Sequence, residues 1–210
     1  MKAALLVVCG SILAGCCIVP REHPVITEFT FPWSGKAAPY TGFRAFTDQQ
    51  RLYFEFTVED HDIVTTPAWA GESTLDDEDR VEIMIARDAA LKDYYGIEID
   101  TQGRVHDYAA HYYRQFDSQW NCEGLQTTAQ RTAAGYVVKG SLPLSTLSVL
   151  TGKPVMRGST IRIGLFRAEF YGKDRRTHGD ANDNWLSWVR PDAKTPDFHV
   201  PSAFRDWRVP

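Results

Sequence analysis

Apolar and polar side chains alternate along several short segments of the chain. In the clearest case, Leu52, Phe54, Phe56 and Val58 alternate with more polar residues. A period of two residues is typical of a half-buried β-strand, because successive side chains point to opposite faces. Further segments with strand character are Arg80–Ala86, Tyr95–Asp100, Val105–Tyr113, Gln126–Thr132, Tyr136–Leu142, Thr160–Tyr171 and Trp185–Trp188.

Turn signals join some of these segments into hairpins. Thr101–Gly103 precedes the partner of Tyr95–Asp100, and Ala133–Gly135 separates a second pair of strand-like segments. Only Leu144–Leu150, after Pro143, predicts a short helix. Many short strands with little helix predict an all-β fold, an antiparallel β-sandwich of jelly-roll type.

The composition is that of one soluble globular domain. The chain has 210 residues, of which 43% are hydrophobic and 24% are charged, and its formal net charge is −4. Without a basic bias, the sequence predicts no nucleic-acid partner. Aromatic residues make up 12% of the chain, with 6 Trp. They indicate either a β-rich core or, in part, a surface for stacking on a ligand.

The first residues have the pattern of an export signal. Lys2 is followed by the apolar run Ala3–Ile12, which is too short to span a bilayer. Leu13-Ala14-Gly15-Cys16 then resembles the lipobox of bacterial lipoprotein precursors. The resemblance implies secretion across the cytoplasmic membrane, cleavage before Cys16 and a lipid anchor on Cys16 in a bacterial cell envelope. The alternative is a plain signal peptide with a chance cysteine.

These expectations divide the chain into three parts. Residues 1–15 are the lipoprotein signal peptide, residues 16–24 are a tether, and residues 25–210 are the folded domain. Of the 4 Cys, Cys17 and Cys122 then remain, and the sequence leaves open whether they pair.

Candidate catalytic and metal-binding residues are few. Asp60-His61-Asp62 and the acidic run 76–79 offer carboxylates, but a glycosidase needs two of them facing each other across a sugar. We therefore expect no enzymatic activity and no required cofactor. Asp180, Asn182 and Asn184 offer oxygen ligands that suit structural calcium, although the EF-hand pattern is absent and such residues are also common in turns.

Two aromatic residues lie in predicted loops, where core packing is least expected. Trp69 is flanked by Ala68 and Ala70, and Phe198 lies in Pro196-Asp197-Phe198-His199. Sugars present C–H faces that stack on aromatic rings and hydroxyls that need polar partners. Both residues are therefore candidates for sugar binding, with local loop packing as the alternative.

The order of motifs resembles the family 9 carbohydrate-binding modules, a group of β-sandwich domains. The likeness covers most of residues 40 to 209. The segments that carry it are Leu52–Asp60, Asp79–Ile85, Tyr94–Asp100, Gly135–Pro143, Trp185–Trp188 and Phe198–Phe204. Asp79–Ile85, for example, is similar to the family's Asp-x-Val-Glu-Ile-Phe strand.

The resemblance implies a set of sugar-binding residues. Phe198 falls on one of two aromatic residues that sandwich a terminal sugar, Glu82 on a sugar-binding Glu, and Glu98 and Asp100 on polar strand positions. The second aromatic residue is absent from its usual place, and the nearest one is Trp69. The resemblance also implies structural calcium, without identifying its ligands.

Together these observations predict a lipid-anchored module that binds oligo- or polysaccharide and acts beside glycan-degrading enzymes in glycan uptake or breakdown. The first alternative is an enzyme that hydrolyses or modifies glycans with the same acidic residues. The second is a structural surface lipoprotein without sugar binding.

Overall fold

A computed structural model describes residues 23–171 and 181–210. The strands are β1 (Thr41–Thr47), β2 (Arg51–Glu59), β3 (Arg80–Ala86), β4 (Asp93–Asp100), β5 (Val105–His111), β6 (Gln115–Asp117), β7 (Gln126–Thr132), β8 (Gly135–Pro143), β9 (Thr160–Ala168), β10 (Trp185–Ser187) and β11 (Arg205–Arg208). The helix α1 spans Leu144–Thr151, and short 3-10 helices span Glu72–Asp77, Ala181–Asn184 and Pro201–Ala203.

The strands form two antiparallel sheets. The order in the four-stranded sheet is β1-β2-β8-β7. The seven-stranded sheet has the order β10-β9-β3-β4-β5-β6, with β11 paired to β9. This arrangement confirms the predicted all-β sandwich and its single short α-helix within the described residues.

The main core lies between the two sheets. Strand β2 shows the predicted alternation, since Leu52, Phe54, Phe56 and Val58 are buried while the residues between them are partly exposed or exposed. These side chains pack against the inner face of the seven-stranded sheet and against α1.

Strand β3 differs from the predicted half-buried strand because both of its faces are buried. Val81, Ile83 and Ile85 enter the main core. Met84, on the outer face of the seven-stranded sheet, packs instead in a second apolar cluster with Phe198 and other aromatic residues. The segment 189–204 supplies part of this cluster and covers the outer face, which explains the burial of the polar positions of β3.

Several boundaries differ from the prediction by a few residues. The segment predicted as a strand from Thr160 to Tyr171 ends at Ala168, and the one that begins at Val105 ends at His111. Cys122 is a free, buried cysteine of the main core.

The signal peptide, Cys16 and Cys17 lie outside the described residues, so the anchor stays a prediction. Within residues 23–171 and 181–210, no helix is both long enough and apolar enough to span a membrane.

Candidate functional site

A cleft lies between the outer face of the seven-stranded sheet and the segment 189–204. A volume of about 140 Å³ in this cleft is open to water. Charged and aromatic residues dominate its lining, which consists of Arg80, Glu82, Glu98, Arg114, Trp185, Pro196, Asp197, Phe198 and His199.

Two buried carboxylates form the floor of the cleft. Glu82 on β3 lies directly opposite Glu98 on β4 in the antiparallel register. Arg80 shares their face, and its Nε is 3.1 Å from Glu82 Oε1 and 2.7 Å from Glu98 Oε2. We call Glu82 and Glu98 the cleft pair.

The cleft pair retains hydrogen-bonding capacity. Arg80 Nε carries a single hydrogen and lies between Glu82 Oε1 and Glu98 Oε2, so it can donate to at most one of these two buried oxygens. Tyr108 Oη, which is also buried, has no hydrogen-bond partner. A buried acceptor without a donor is costly, so a ligand that brings hydroxyl groups gains by supplying them.

The environment of the cleft pair favours one proton on it. Burial and the negative charge of Glu98 raise the pKa of Glu82 to about 8, despite the opposing effect of Arg80. A protonated carboxyl group both donates and accepts hydrogen bonds.

The aromatic wall of the cleft is built around Phe198. Its ring stacks on Phe166 with a centroid distance of 4.1 Å and meets Trp185 edge-on at 5.9 Å. Trp33 packs on it at 5.6 Å and is itself fixed by a hydrogen bond from Nε1 to the Ala193 carbonyl. Phe198 lines the cleft, and its role as a sugar contact stays a prediction. The expectation that core packing is absent at this loop position is wrong, because Phe198 belongs to a core cluster and is only 6% exposed.

The residues on either side of Phe198 complete the rim. The backbone N–H of His199 donates to Asp197 Oδ1, and His199 Nδ1 lies 3.0 Å from Tyr94 Oη. Burial, with a smaller effect of Arg114, lowers the pKa of His199 to about 4. The imidazole is therefore neutral at pH 7, and the rim contributes the negative charge of Asp197 beside Arg114.

The other two predicted sugar contacts lie together, but do not line the cleft. Asp100 is fully buried and accepts hydrogen bonds from Arg104 Nε and from the backbone N–H groups of Gln102 and Arg104. The Arg104 guanidinium lies 5.3 Å from the ring centroid of Trp69, which is 48% exposed. In this structure Asp100 orders the β4–β5 turn.

Sequence reasoning missed several residues of the cleft. Arg80 lies two positions before Glu82 on the same strand, and this spacing places both side chains on one face. Asp197 and His199 flank Phe198 in the segment Pro196-Asp197-Phe198-His199, from which only Phe198 is predicted. No local signal indicated Arg114, because its place depends on how the β5–β6 hairpin meets the segment 189–204.

A second acidic group lies at the ends of three strands. Asp60 follows β2, Asp79 precedes β3, and Glu169 follows β9; all three are buried. One ligand atom of each lies within 4.8 Å of the others. We call these residues the acidic triad.

The acidic triad has an excess of negative charge. Arg167, which pairs with Glu169, is the only arginine in contact with it among the described residues. Burial and the neighbouring carboxylates raise the pKa of Asp79 to about 9. Asp60 Oδ2 is buried without a hydrogen-bond partner. An all-oxygen donor set of this kind fits a hard cation such as calcium.

The segment predicted to bind calcium lies beside the acidic triad. The Asn184 carbonyl accepts a hydrogen bond from the Glu169 backbone N–H, and Asn184 Oδ1 is buried without a partner. Asn182 lies in the same 3-10 helix, and Asp180 is outside the described residues. A further group of close side chains, Asp76, Glu98 and His106, lies at the cleft pair.

The fold and the cleft define a small β-sandwich binding domain. Residues 24–206 match the family described as carbohydrate family 9 binding domain-like, and the chain belongs to this family. The resemblance of the folded domain to the family 9 carbohydrate-binding modules is thereby confirmed. No curated protein sequence matches the chain.

Solved structures of low sequence identity share the fold. A candidate carbohydrate-binding protein from Bacteroides uniformis superposes with a TM-score of 0.69 at 13% identity, covering 90% of this chain and 87% of that one. A family 9 carbohydrate-binding module from Caldicellulosiruptor kristjanssonii was solved with glucose and with cellotriose. The TM-scores are 0.58 and 0.60, both at 16% identity, over 90% of this chain and 84% and 82% of the module.

Proposed function

We propose that the protein binds carbohydrate in the cleft lined by Glu82, Glu98 and Phe198. The observation that carries the proposal is the cleft pair, whose two buried oxygens share the single N–H of Arg80 Nε beside an aromatic wall. Sugar hydroxyls are suited to donate to such oxygens. Membership of the family and the glucose and cellotriose complexes of a structural neighbour support the same ligand class.

The geometry favours binding over hydrolysis. Both members of the cleft pair contact the same nitrogen, Arg80 Nε, so a guanidinium group rather than a sugar lies between their oxygens. In glycosidases the two carboxylates flank the scissile bond, with the sugar between them. We therefore propose a non-catalytic module, and sustained release of reducing sugar from polysaccharides by the purified protein would favour the enzyme instead.

Calorimetry with a panel of mono- and oligosaccharides, including glucose and cellotriose, tests the binding proposal. We expect dissociation constants between roughly micromolar and millimolar, since a small cleft buries little area. Glu98→Gln removes a charged acceptor worth roughly 1.5–3 kcal/mol, so affinity should fall at least about tenfold. Glu55→Gln is the matched control, because Glu55 pairs with Arg44 and Lys139 on the four-stranded sheet.

Two results would overturn this assignment. If folded Glu98→Gln binds with wild-type affinity, the ligand site lies elsewhere. If the wild-type protein binds no glycan of the panel, the structural surface lipoprotein becomes the better account.

We also propose that a lipid on Cys16 holds this module at a bacterial cell envelope, beside enzymes that degrade glycans. The support is the apolar run that ends in Leu13-Ala14-Gly15-Cys16. In a detergent phase separation, the wild-type protein should enter the detergent phase and Cys16→Ser should stay in the aqueous phase. Identical partitioning of the two proteins would contradict lipidation.

Finally, we propose that the acidic triad, rather than the predicted set of Asp180, Asn182 and Asn184, holds a structural calcium. The support is the clustering of its three carboxyl groups and the unpartnered Asp60 Oδ2. Calcium at about 100 times its dissociation constant should stabilise the fold by about 2.7 kcal/mol. Melting curves with calcium and with EDTA measure this gain, which Asp60→Asn should reduce and the control Asp206→Asn should retain. Equal melting in calcium and EDTA would refute the site.

A further inference from the structure

The β5–β6 hairpin carries three exposed aromatic rings. Tyr112, Tyr113 and Phe116 are 48%, 49% and 49% exposed. They lie within five residues of one another and account for three of the eight large hydrophobic side chains that are exposed in the described part of the chain. We call these three residues the aromatic shelf.

The aromatic shelf is continuous with the rim of the cleft. Tyr113 Oη donates a hydrogen bond to Asp197, which lines the cleft. The Phe116 ring lies 5.1 Å from the ring of His199, another lining residue. Arg114, between the two aromatic positions, lines the cleft itself, and its guanidinium is 5.8 Å from the Tyr113 ring centroid.

The cleft is small for an extended ligand. Its volume of about 140 Å³ is below the roughly 300–1,000 Å³ of pockets that enclose drug-sized molecules. An oligosaccharide that places one terminal sugar in the cleft must therefore continue along the surface outside it. The aromatic shelf provides apolar ring faces there, with the Tyr113 hydroxyl and the charges of Asp197 and Arg114 beside them.

We propose that the aromatic shelf is a second subsite, which stacks the next sugar units of an oligosaccharide whose terminal unit occupies the cleft. This inference rests on the proposed carbohydrate binding. It specifies the ligand class as a chain of at least two or three sugars, and it explains why three rings remain exposed at one edge of the site. The alternative occupant of such a patch is a second copy of the chain, which the test distinguishes.

The experiment compares a monosaccharide with its trimer. Calorimetry on the full protein uses glucose with cellotriose, and xylose with xylotriose, for the wild type and the double variant Tyr112→Ala/Tyr113→Ala. We expect the wild type to bind a trimer more tightly than its monomer. The double variant should lose about tenfold in affinity for the trimer, and its affinity for the monomer should fall much less, because the two rings lie outside the cleft and only the bond from Tyr113 to Asp197 reaches its lining.

The matched control is Tyr40→Ala, a tyrosine that is 40% exposed and directly precedes β1 in the four-stranded sheet. It should leave both affinities unchanged. Because Tyr113 bonds Asp197, the single variant Tyr112→Ala provides a second test that leaves this bond intact, with an expected loss of about threefold or more for the trimer.

The outcomes separate the two proposals. A wild-type protein that binds trimer and monomer equally, or a Tyr112→Ala variant that binds the trimer as tightly as the wild type does, overturns the second subsite while leaving cleft binding in place. A wild-type protein that binds none of the four sugars overturns the cleft proposal and this inference together. Sedimentation velocity is run in parallel, and a wild-type dimer that the double variant abolishes would show that a second copy covers the aromatic shelf.

Discussion

The cleft pair and the acidic triad are both groups of buried carboxyl groups in contact with one arginine. They differ in the number of carboxyl groups per arginine and in what surrounds them. In the cleft pair, two carboxyl groups contact Arg80, and an aromatic wall and a volume open to water lie beside them. In the acidic triad, three carboxyl groups lie together and one of them, Glu169, pairs with Arg167. Backbone N–H groups at the strand ends donate hydrogen bonds to Asp79.

This difference shows how similar residues support different roles. With one excess negative charge that a single proton removes, the cleft pair suits a neutral ligand rich in hydroxyl groups. The acidic triad brings three carboxyl groups within reach of one point and has an unpartnered oxygen, so it suits a divalent cation, whose binding would displace the proton that the raised pKa of Asp79 retains. The number of oxygen ligands and their surroundings therefore separate the two groups, although both consist of buried acids.

The largest expected effect comes from removing the arginine of the acidic triad. Arg167→Met leaves the buried Glu169 without its ion-pair partner, and such losses cost about 3–5 kcal/mol. Urea unfolding in EDTA measures the change in the free energy of unfolding. The exposed Arg131→Met is the control and should change it by less than about 0.5 kcal/mol. A loss below about 1 kcal/mol for Arg167→Met would mean that the triad is not a charged group in the folded protein.

An intermediate effect is expected on the pH dependence of stability, through the proton that Glu82 holds in the cleft pair. Since the pKa of Glu82 is raised from 4.5 to about 8, the folded protein keeps a proton that the unfolded chain releases between these pH values. This contribution to stability is fully present below pH 4.5 and is lost as the pH rises through 8. Arg80, Glu98, His106 and Tyr108 are the charged and titratable neighbours on the same face.

Glu82→Gln imitates the protonated acid and should abolish this loss. Between pH 5 and pH 8, the free energy of unfolding should fall by at least about 1.4 kcal/mol more for the wild type than for the variant, which corresponds to one pKa unit. Denaturant titrations at several pH values give both curves, and titrating groups remote from Glu82 cancel in the difference. Parallel curves would show that Glu82 is not the proton-holding member of the cleft pair.

The smallest effect is expected at Trp69, which belongs to neither acidic group. Its ring lies over Arg104, and exposed contacts of this type are worth about 0.5–1 kcal/mol. Trp69→Ala should therefore reduce stability slightly and leave the affinity of the cleft for sugar unchanged. If calorimetry instead shows a tenfold loss of affinity, Trp69 contacts the ligand and the binding site extends to the β4–β5 turn.

The strands and part of the cleft were predictable because they depend on local patterns. Alternation predicts β2, turn signals predict the β4–β5 and β7–β8 hairpins, and the resemblance to the family indicates Glu82 and Glu98. The burial of β3 on both sides was not predictable, because charged residues such as Arg80 and Glu82 usually indicate a solvent face. Here the segment 189–204 covers that face, and the ion pairs of Arg80 with Glu82 and Glu98 reduce the free-energy cost of burying these charges.

The same long-range packing gives the loop residue Phe198 a structural role that its sequence context does not indicate. Phe198 was selected as a ligand contact because it lies outside the strands, but its ring packs on Phe166 from β9 as well as lining the cleft. The sequence does not single out Tyr112, Tyr113 and Phe116, because a hairpin rich in aromatic residues is ordinary in a β-protein. The contacts of Tyr113 and Phe116 with Asp197, His199 and Arg114 connect this hairpin with the site.

The hydrogen bond from Trp33 to the Ala193 carbonyl has a consequence for the folding kinetics. It joins residues 160 positions apart, close to the β-bridge between Thr30 and Ser187. Contacts this remote in sequence close large loops, and domains built from them fold in milliseconds to seconds rather than microseconds. Until the segment 189–204 docks, the apolar outer face around Phe166 stays open to other chains, so we expect aggregation during refolding to originate at this face.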